Sequence, residues 1–134
     1  MVTISSENKR NFTYIAFFDL DRTLTGKTSG RALAGRAYRN GLMNHATFAR
    51  AILTSVLYKL RLRKPAKIID SMAGWTKGMT EEAYLALCSE VLEKDLLPSI
   101  FAEARIEIEQ HRNQGARLVL LSSALGPVCR KIAA

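Results

Sequence analysis

Asp19 and Asp21 stand two residues apart at the end of an apolar run, in the stretch Phe17-Phe-Asp-Leu-Asp-Arg-Thr-Leu-Thr25. Two carboxylates in a turn can both point into a site above a strand, while Leu20 between them points back into the core. One carboxylate can attack phosphorus and form an acyl-phosphate, which splits a difficult displacement into two easier steps. The other can protonate the leaving oxygen and then deprotonate the attacking water. An anionic nucleophile approaching an anionic phosphate calls for a divalent cation. Magnesium suits carboxylate, carbonyl and water ligands. The plainer alternative is that Asp and Thr after a strand simply make turns and helix caps.

A second polar pair, Ser122-Ser123, follows another apolar run, Ala116-Arg-Leu-Val-Leu-Leu121. A hydroxyl there can donate to a transferred phosphoryl group, and backbone N–H groups after Ser122 can extend the cradle at a helix N-terminus. Its structural alternative is a serine that caps the next helix.

Gly26-Lys27-Thr28-Ser29 looks at first like the end of a nucleotide-binding P-loop. That motif needs a glycine five residues before Gly26. Asp21 occupies the position, and its charge would repel a triphosphate. The stretch is instead expected to lead into the first helix.

The elements that must hold these residues follow from periodicity. Residues 1–12 form a polar lead-in, and Tyr14–Phe18 is a continuous apolar run suited to a strand buried on both faces. Residues 28 to about 114 are expected to be almost wholly helical. A first helix carries Leu33, Ala37 and Tyr38 and stops at Asn40-Gly41. A second spans about 45–62. Pro65 opens a short third with Ile68, Ile69 and Met72. Thr80-Glu-Glu starts a helix whose apolar face includes Leu85, Cys88 and Leu92. Pro98 opens another, with Phe101, Ile106 and Ile108 as its stripe and Gly115 as its stop. A second strand over 116–121 and a last helix from Gly126 complete the order. Helices inserted between two buried strands give an α/β class. In such sheets ligands bind beyond the carboxyl ends of the strands, where both Asp19 and Ser122 stand.

Composition narrows the function classes. The chain has 134 residues, 48% of them apolar, which suits one globular domain or part of one. Twenty Lys and Arg against twelve Asp and Glu give a charge of +8, compatible with nucleic acid, anionic membranes or phosphorylated substrates. One basic cluster, Lys59-Leu-Arg-Leu-Arg-Lys64, supports a binding module for nucleic acid or membrane. Its alternative is the solvated face of a helix, and without interleaved aromatics no specific nucleic-acid partner is expected. Cys88 and Cys129 have no CxxC partner, so two reduced thiols are expected. No apolar run spans a bilayer and the N-terminus has no apolar signal core, so the expected location is the cytoplasm.

Asp19-Leu-Asp-Arg-Thr23 resembles motif I, DxDxT, of the haloacid-dehalogenase (HAD) superfamily of phosphohydrolases. Leu118-Val-Leu-Leu-Ser-Ser123 resembles its motif II. The helical segment between them looks like the cap of subfamily IB, which includes phosphoserine phosphatases. The resemblance implies a HAD-like Rossmannoid core, here with an incomplete parallel sheet, over residues 1–26 and 96–134, and a helical cap over 27–95. It implies a magnesium-dependent phosphomonoester hydrolase acting through an aspartyl-phosphate. Asp19 matches the nucleophile and metal ligand. Asp21 matches the general acid and base, whose backbone carbonyl also binds the metal. Thr23 matches the residue supporting the motif I loop, and it joins Ser122 and Ser123 in the phosphate site.

Two departures matter. Phosphoserine phosphatases place a Glu nine residues after the nucleophile, where this chain has Thr28. The family's motif III lysine and motif IV acidic group lie further downstream, whereas residues 123–134 hold no Asp or Glu. The chain is therefore expected to stop before motifs III and IV. The family's sheet has five or more strands and two are evident here, so the rest is expected from further chain or from a second copy in a homodimer. The expected partner is a small phosphorylated metabolite, with no membrane span. The competing expectation is a catalytically inactive HAD fragment that binds a ligand or partner.

Overall fold

The structure, a computed structural model, describes residues 2–4, 12–59 and 74–133. The chain divides into two compact units, residues 1–32 with 88–134, and residues 33–87.

The first unit contains a three-stranded sheet. Strand β2 (Tyr14–Phe18) pairs in parallel with β3 (Ala116–Ser122), and β1 (Val2–Ile4) pairs antiparallel on the other side of β3. The expected α/β class is thus found, with one strand more than expected. β1 falls in what reads as a polar lead-in; backbone pairing with β3 recruits it, and a run of three residues carries too short a pattern to announce that. Register places Tyr14 opposite Ala116 and Phe18 opposite Leu120.

The second difference concerns β2. A continuous apolar run implies burial on both faces, yet Ile15 is 52% and Phe17 60% exposed while Ala16 is buried. The inward side of β2 meets helix α4 (Ala102–Asn113): the His111 ring lies edge-on to both Tyr14 and Phe18, and the Tyr14 hydroxyl is 2.8 Å from His111 Nδ1. The buried side chains of this unit include Leu20, Leu24, Val91, Leu96, Val119 and Val128.

The second unit is helical. Helix α1 (Ser29–Arg39) runs into it from the first unit and ends on Gly41 at φ +72°. Leu42 N–H donates to Ala37 O and Gly41 N–H to Tyr38 O, the paired bonds that close a helix over a left-handed residue. Asn44 Oδ1 accepts the Thr47 N–H and caps helix α2 (His45–Lys59), and Tyr38 stacks on Phe48. The short helix expected at Pro65 and nearly all of the basic cluster lie outside the described residues. Thr80 Oγ1 accepts the Ala83 N–H at the start of helix α3 (Glu81–Val91), which returns the chain to the first unit.

Helix α3 buries Leu87, Cys88 and Val91, whereas Leu85 is exposed. It continues into a single π turn, Leu92–Leu96, in which Leu97 N–H bonds to Leu92 O. Pro98 does not open α4. It sits in a 3-10 turn (Leu97–Ser99), after which Ile100 and Phe101 are extended and α4 begins at Ala102. Phe101 and Ile106 are exposed and α4 has no fully buried residue, so the expected apolar stripe is not a core face. The stop at Gly115 holds, at φ +78°. Helix α5 (Gly126–Ala133) follows β3 and packs against β1 and β3, with Val128 and Cys129 buried.

Candidate active site

β2 and β3 are parallel neighbours, so their carboxyl ends share one edge. Phe18 is paired with Leu120, which puts Asp19 and Ser122 just beyond the last pair and one residue apart in register. Neighbouring strands lie about 4.8 Å apart. The topology therefore brings together the two polar clusters that the sequence separates by a hundred residues.

The loop after β2 is held from within and from outside. Leu20, fully buried, anchors it, and its carbonyl accepts from Leu24 N, Thr25 N and Thr25 Oγ1. Arg22 takes φ +64°, a left-handed conformation uncommon for a side-chain-bearing residue. Gly26 N–H donates to Ser99 O and Phe101 N–H to Leu24 O, which clamps the loop to the segment before α4. That segment's irregular geometry thereby has a use: Ile100 is extended because it bridges Thr25.

The two aspartates are held in different ways. Asp19 is exposed, with Thr23 Oγ1 3.5 Å from its Oδ2. Asp21 is partly buried, and both of its oxygens are engaged: Ser29 N–H donates to Oδ1 at 2.8 Å and Ser29 Oγ to Oδ2 at 3.0 Å. Burial pushes the Asp21 carboxyl above its ordinary range. The Ser29 hydrogen bonds oppose that shift, and the negative charge of Asp19 adds to it.

Ser122 is 3% exposed and its Oγ accepts the Ala124 N–H, so it braces the turn after β3. A hydroxyl that accepts one bond keeps its proton to donate. Neither serine is the N-cap of α5, where Leu125 O accepts the Cys129 N–H. Ser123 is exposed. Thr23, also exposed, is brought to Asp19. Among the described residues no three His, Cys, Asp or Glu groups converge as a metal cluster.

The haloacid dehalogenase-like hydrolase family profile matches residues 16–134. The chain belongs to that family. This HAD-like hydrolase chain is also 26% identical over 132 residues to a probable phosphatase of Mycobacterium tuberculosis, covering 89% of the chain and 44% of that protein. It is 25% identical over 124 residues to the inhibition of morphological differentiation protein of Streptomyces azureus, covering 87% of the chain and 43% of that protein. It thus spans less than half the length of these relatives. No solved structure matches it.

Three features around these residues escape the sequence reading. Ser29 is the tail of the false P-loop, and only the fold reveals that it faces Asp21. Lys27 Nζ lies 3.6 Å from Oδ1 of Asp95, a carboxylate buried at the π turn. Cys129 sits in the field of both aspartates, which together with burial pushes its thiol up; burial is the larger cause. Nothing in the sequence singles out Asp95, which follows Glu93 and Lys94 in a mixed charged run.

Proposed function

We propose that this chain carries the nucleophile and the proton-transfer group of a magnesium-dependent phosphomonoester hydrolase of subfamily IB, with residues 27–95 as its helical cap. Motif III and motif IV would lie outside the 134 residues, and the sub-half coverage of the relatives supports that reading. The observation that carries the function is the unequal treatment of two carboxylates at one strand end: Asp19 exposed, Asp21 partly buried with a raised carboxyl. Such a pair divides naturally into a nucleophile and an acid.

In this mechanism an Asp19 oxygen attacks phosphorus and the bond to the leaving oxygen breaks. Asp21 gives that oxygen a proton. Water then attacks the aspartyl-phosphate, Asp21 takes its proton, and the Asp19–phosphorus linkage breaks to release inorganic phosphate. Ser122 donates to the phosphoryl oxygens, backbone N–H groups around Ser123 complete that cradle, and Thr23 steadies Asp19. The oxygen donors suit magnesium, which keeps much of its water. The Asp19 carboxylate and the Asp21 main-chain carbonyl would hold it, and it would offset the charge between nucleophile and phosphate. The substrate class is a small phosphorylated metabolite, and Thr28 in place of the amine-binding Glu argues against phosphoserine. Among the described residues no helix is long and apolar enough to cross a membrane.

The test is phosphate release from p-nitrophenyl phosphate with magnesium, by the longer protein that carries motifs III and IV and by its Asp19→Asn variant. Acid-quenched protein should carry labelled phosphate only when Asp19 is present. Equal rates for the two proteins would overturn the reading. A second reading, an inactive HAD fragment that binds a partner, draws on the exposed Ile15 and Phe17 of β2. A second copy completing the sheet there would show as a dimer in sedimentation. Turnover by this chain above the Asp19→Asn control would exclude an inactive fragment.

A further inference from the structure

We propose that Ser29 is the positioning residue for Asp21, a two-point tether that fixes the carboxylate on which proton transfer depends. The inference rests on the reading of Asp21 as acid and base.

An aspartate in a loop has two side-chain torsions to settle. One hydrogen bond leaves the carboxylate free to rotate about it; two bonds, one to each oxygen, fix both torsions. Ser29 supplies both, its N–H to Oδ1 and its hydroxyl to Oδ2. Ser29 is 1% exposed and is the first residue of the eleven-residue helix α1, and the Thr28 carbonyl just before it accepts the Ala32 N–H. Asp21 is thereby referenced to a helix rather than to its own loop.

The chemistry of the donor also fits the task. A hydroxyl can donate to a carboxylate and accept from a carboxyl, so the same contact serves both states of a group that gives and regains a proton. Each carboxylate oxygen retains a further lone-pair direction for the reacting group. Among the described residues Asp19 shows no comparable restraint, with Thr23 Oγ1 approaching it at only 3.5 Å. A nucleophile directed by its phosphate needs less help than an acid that must wait at a defined distance from the leaving oxygen.

A capping role alone would make a different prediction. If Asp21 only satisfied the first turn of α1, loss of the Ser29 hydroxyl would lower stability and leave kcat as it was. The experiment compares Ser29→Ala, Ser29→Gly and Ser29→Thr in the longer protein that carries motifs III and IV, with p-nitrophenyl phosphate and magnesium as the probe. Ala and Gly remove atoms from a buried site and create no clash; Thr keeps the hydroxyl. Ala and Gly should lower kcat on the order of tenfold with KM within about twofold, as expected for a misaligned acid, and Thr should retain most of the rate. In parallel, NMR couplings across the Asp21 χ1 torsion should report one rotamer in the wild type and in Thr, and averaged rotamers in Ala and Gly.

An unchanged kcat in Ala and Gly would overturn the proposal, as would a single Asp21 rotamer in both. A wild-type longer protein that releases no more phosphate than its Asp19→Asn variant would sink the phosphatase reading instead. The rotamer measurement would then still decide whether the tether exists.

Discussion

Asp19 and Asp21 leave the same strand end into opposite settings: the first is exposed beside Thr23, and the second is partly buried with both oxygens bound by Ser29. Leu20 between them is fully buried and turns both outward, and the division comes from the Ser29 contacts that only Asp21 makes among the described residues. Removing each should therefore have distinct effects. Asp19→Asn should abolish phosphate release and covalent labelling together. Asp21→Asn should leave labelling possible with a good leaving group and slow turnover by about 10²–10⁴-fold, the usual worth of a positioned acid or base. Quench-labelling with phenolic and alkyl phosphates checks both.

The Asp21 carboxyl also makes a prediction about stability. Its folded-state value is raised above the ordinary 3.8, mainly by burial. The folded chain thus holds that proton more tightly than the unfolded chain, and the stability it contributes is present below the unfolded value and lost as pH rises through the folded one. Asp21→Asn lacks this loss. Relative to wild type, the variant should gain stability as pH rises from acid toward neutrality. Urea denaturation across that range tests the sign, and a variant that falls behind at neutral pH contradicts it.

Leu20 should be the costliest single truncation in the loop. It is fully buried, and its backbone carbonyl collects several of the loop's hydrogen bonds. Leu20→Ala should destabilise the chain by about 2–5 kcal/mol, as cavity-forming core substitutions do. Thermal unfolding gives the value, and a loss near zero would mean that the loop is not anchored through this side chain.

Gly115 closes α4 at φ +78°, and a Cβ there would lie 3.2 Å from Thr13 Oγ1. Gly115→Ala should cost about 1–2 kcal/mol from the left-handed conformation. Gly35 lies inside α1 with open space around it, so Gly35→Ala should be neutral or stabilising by up to about 1 kcal/mol. Denaturation midpoints of the two variants should move in opposite directions.

Cys88 and Cys129 are free and buried. The Cys129 thiol is pushed up by burial and by the two aspartates, so its nucleophilic thiolate is scarce. Iodoacetamide at neutral pH should label neither cysteine in the folded chain and both in urea, with mass spectrometry as the readout. Rapid labelling of Cys129 in the native state would contradict the buried placement.

Much of this was legible before the fold was known. The β2 and β3 runs, the stop at Gly41, the cap at Thr80 and the inward Leu20 are each written in a few adjacent residues, because dihedral preference and local hydrogen bonding act over short distances. The motif spacing at Asp19 and Asp21 identified the chemistry to test, and a P-loop was excluded by one misplaced carboxylate. Tertiary structure decided what no local pattern records. It recruited β1 through pairing with β3 and left Ile15 and Phe17 exposed. It pinned Ile100 against the loop after β2 instead of letting Pro98 start α4. It also turned Ser29 from the remnant of a nucleotide motif into the partner of Asp21. Each of these depends on which segments meet in space, and side chains far apart in sequence acquire their partners only when the chain has closed around them.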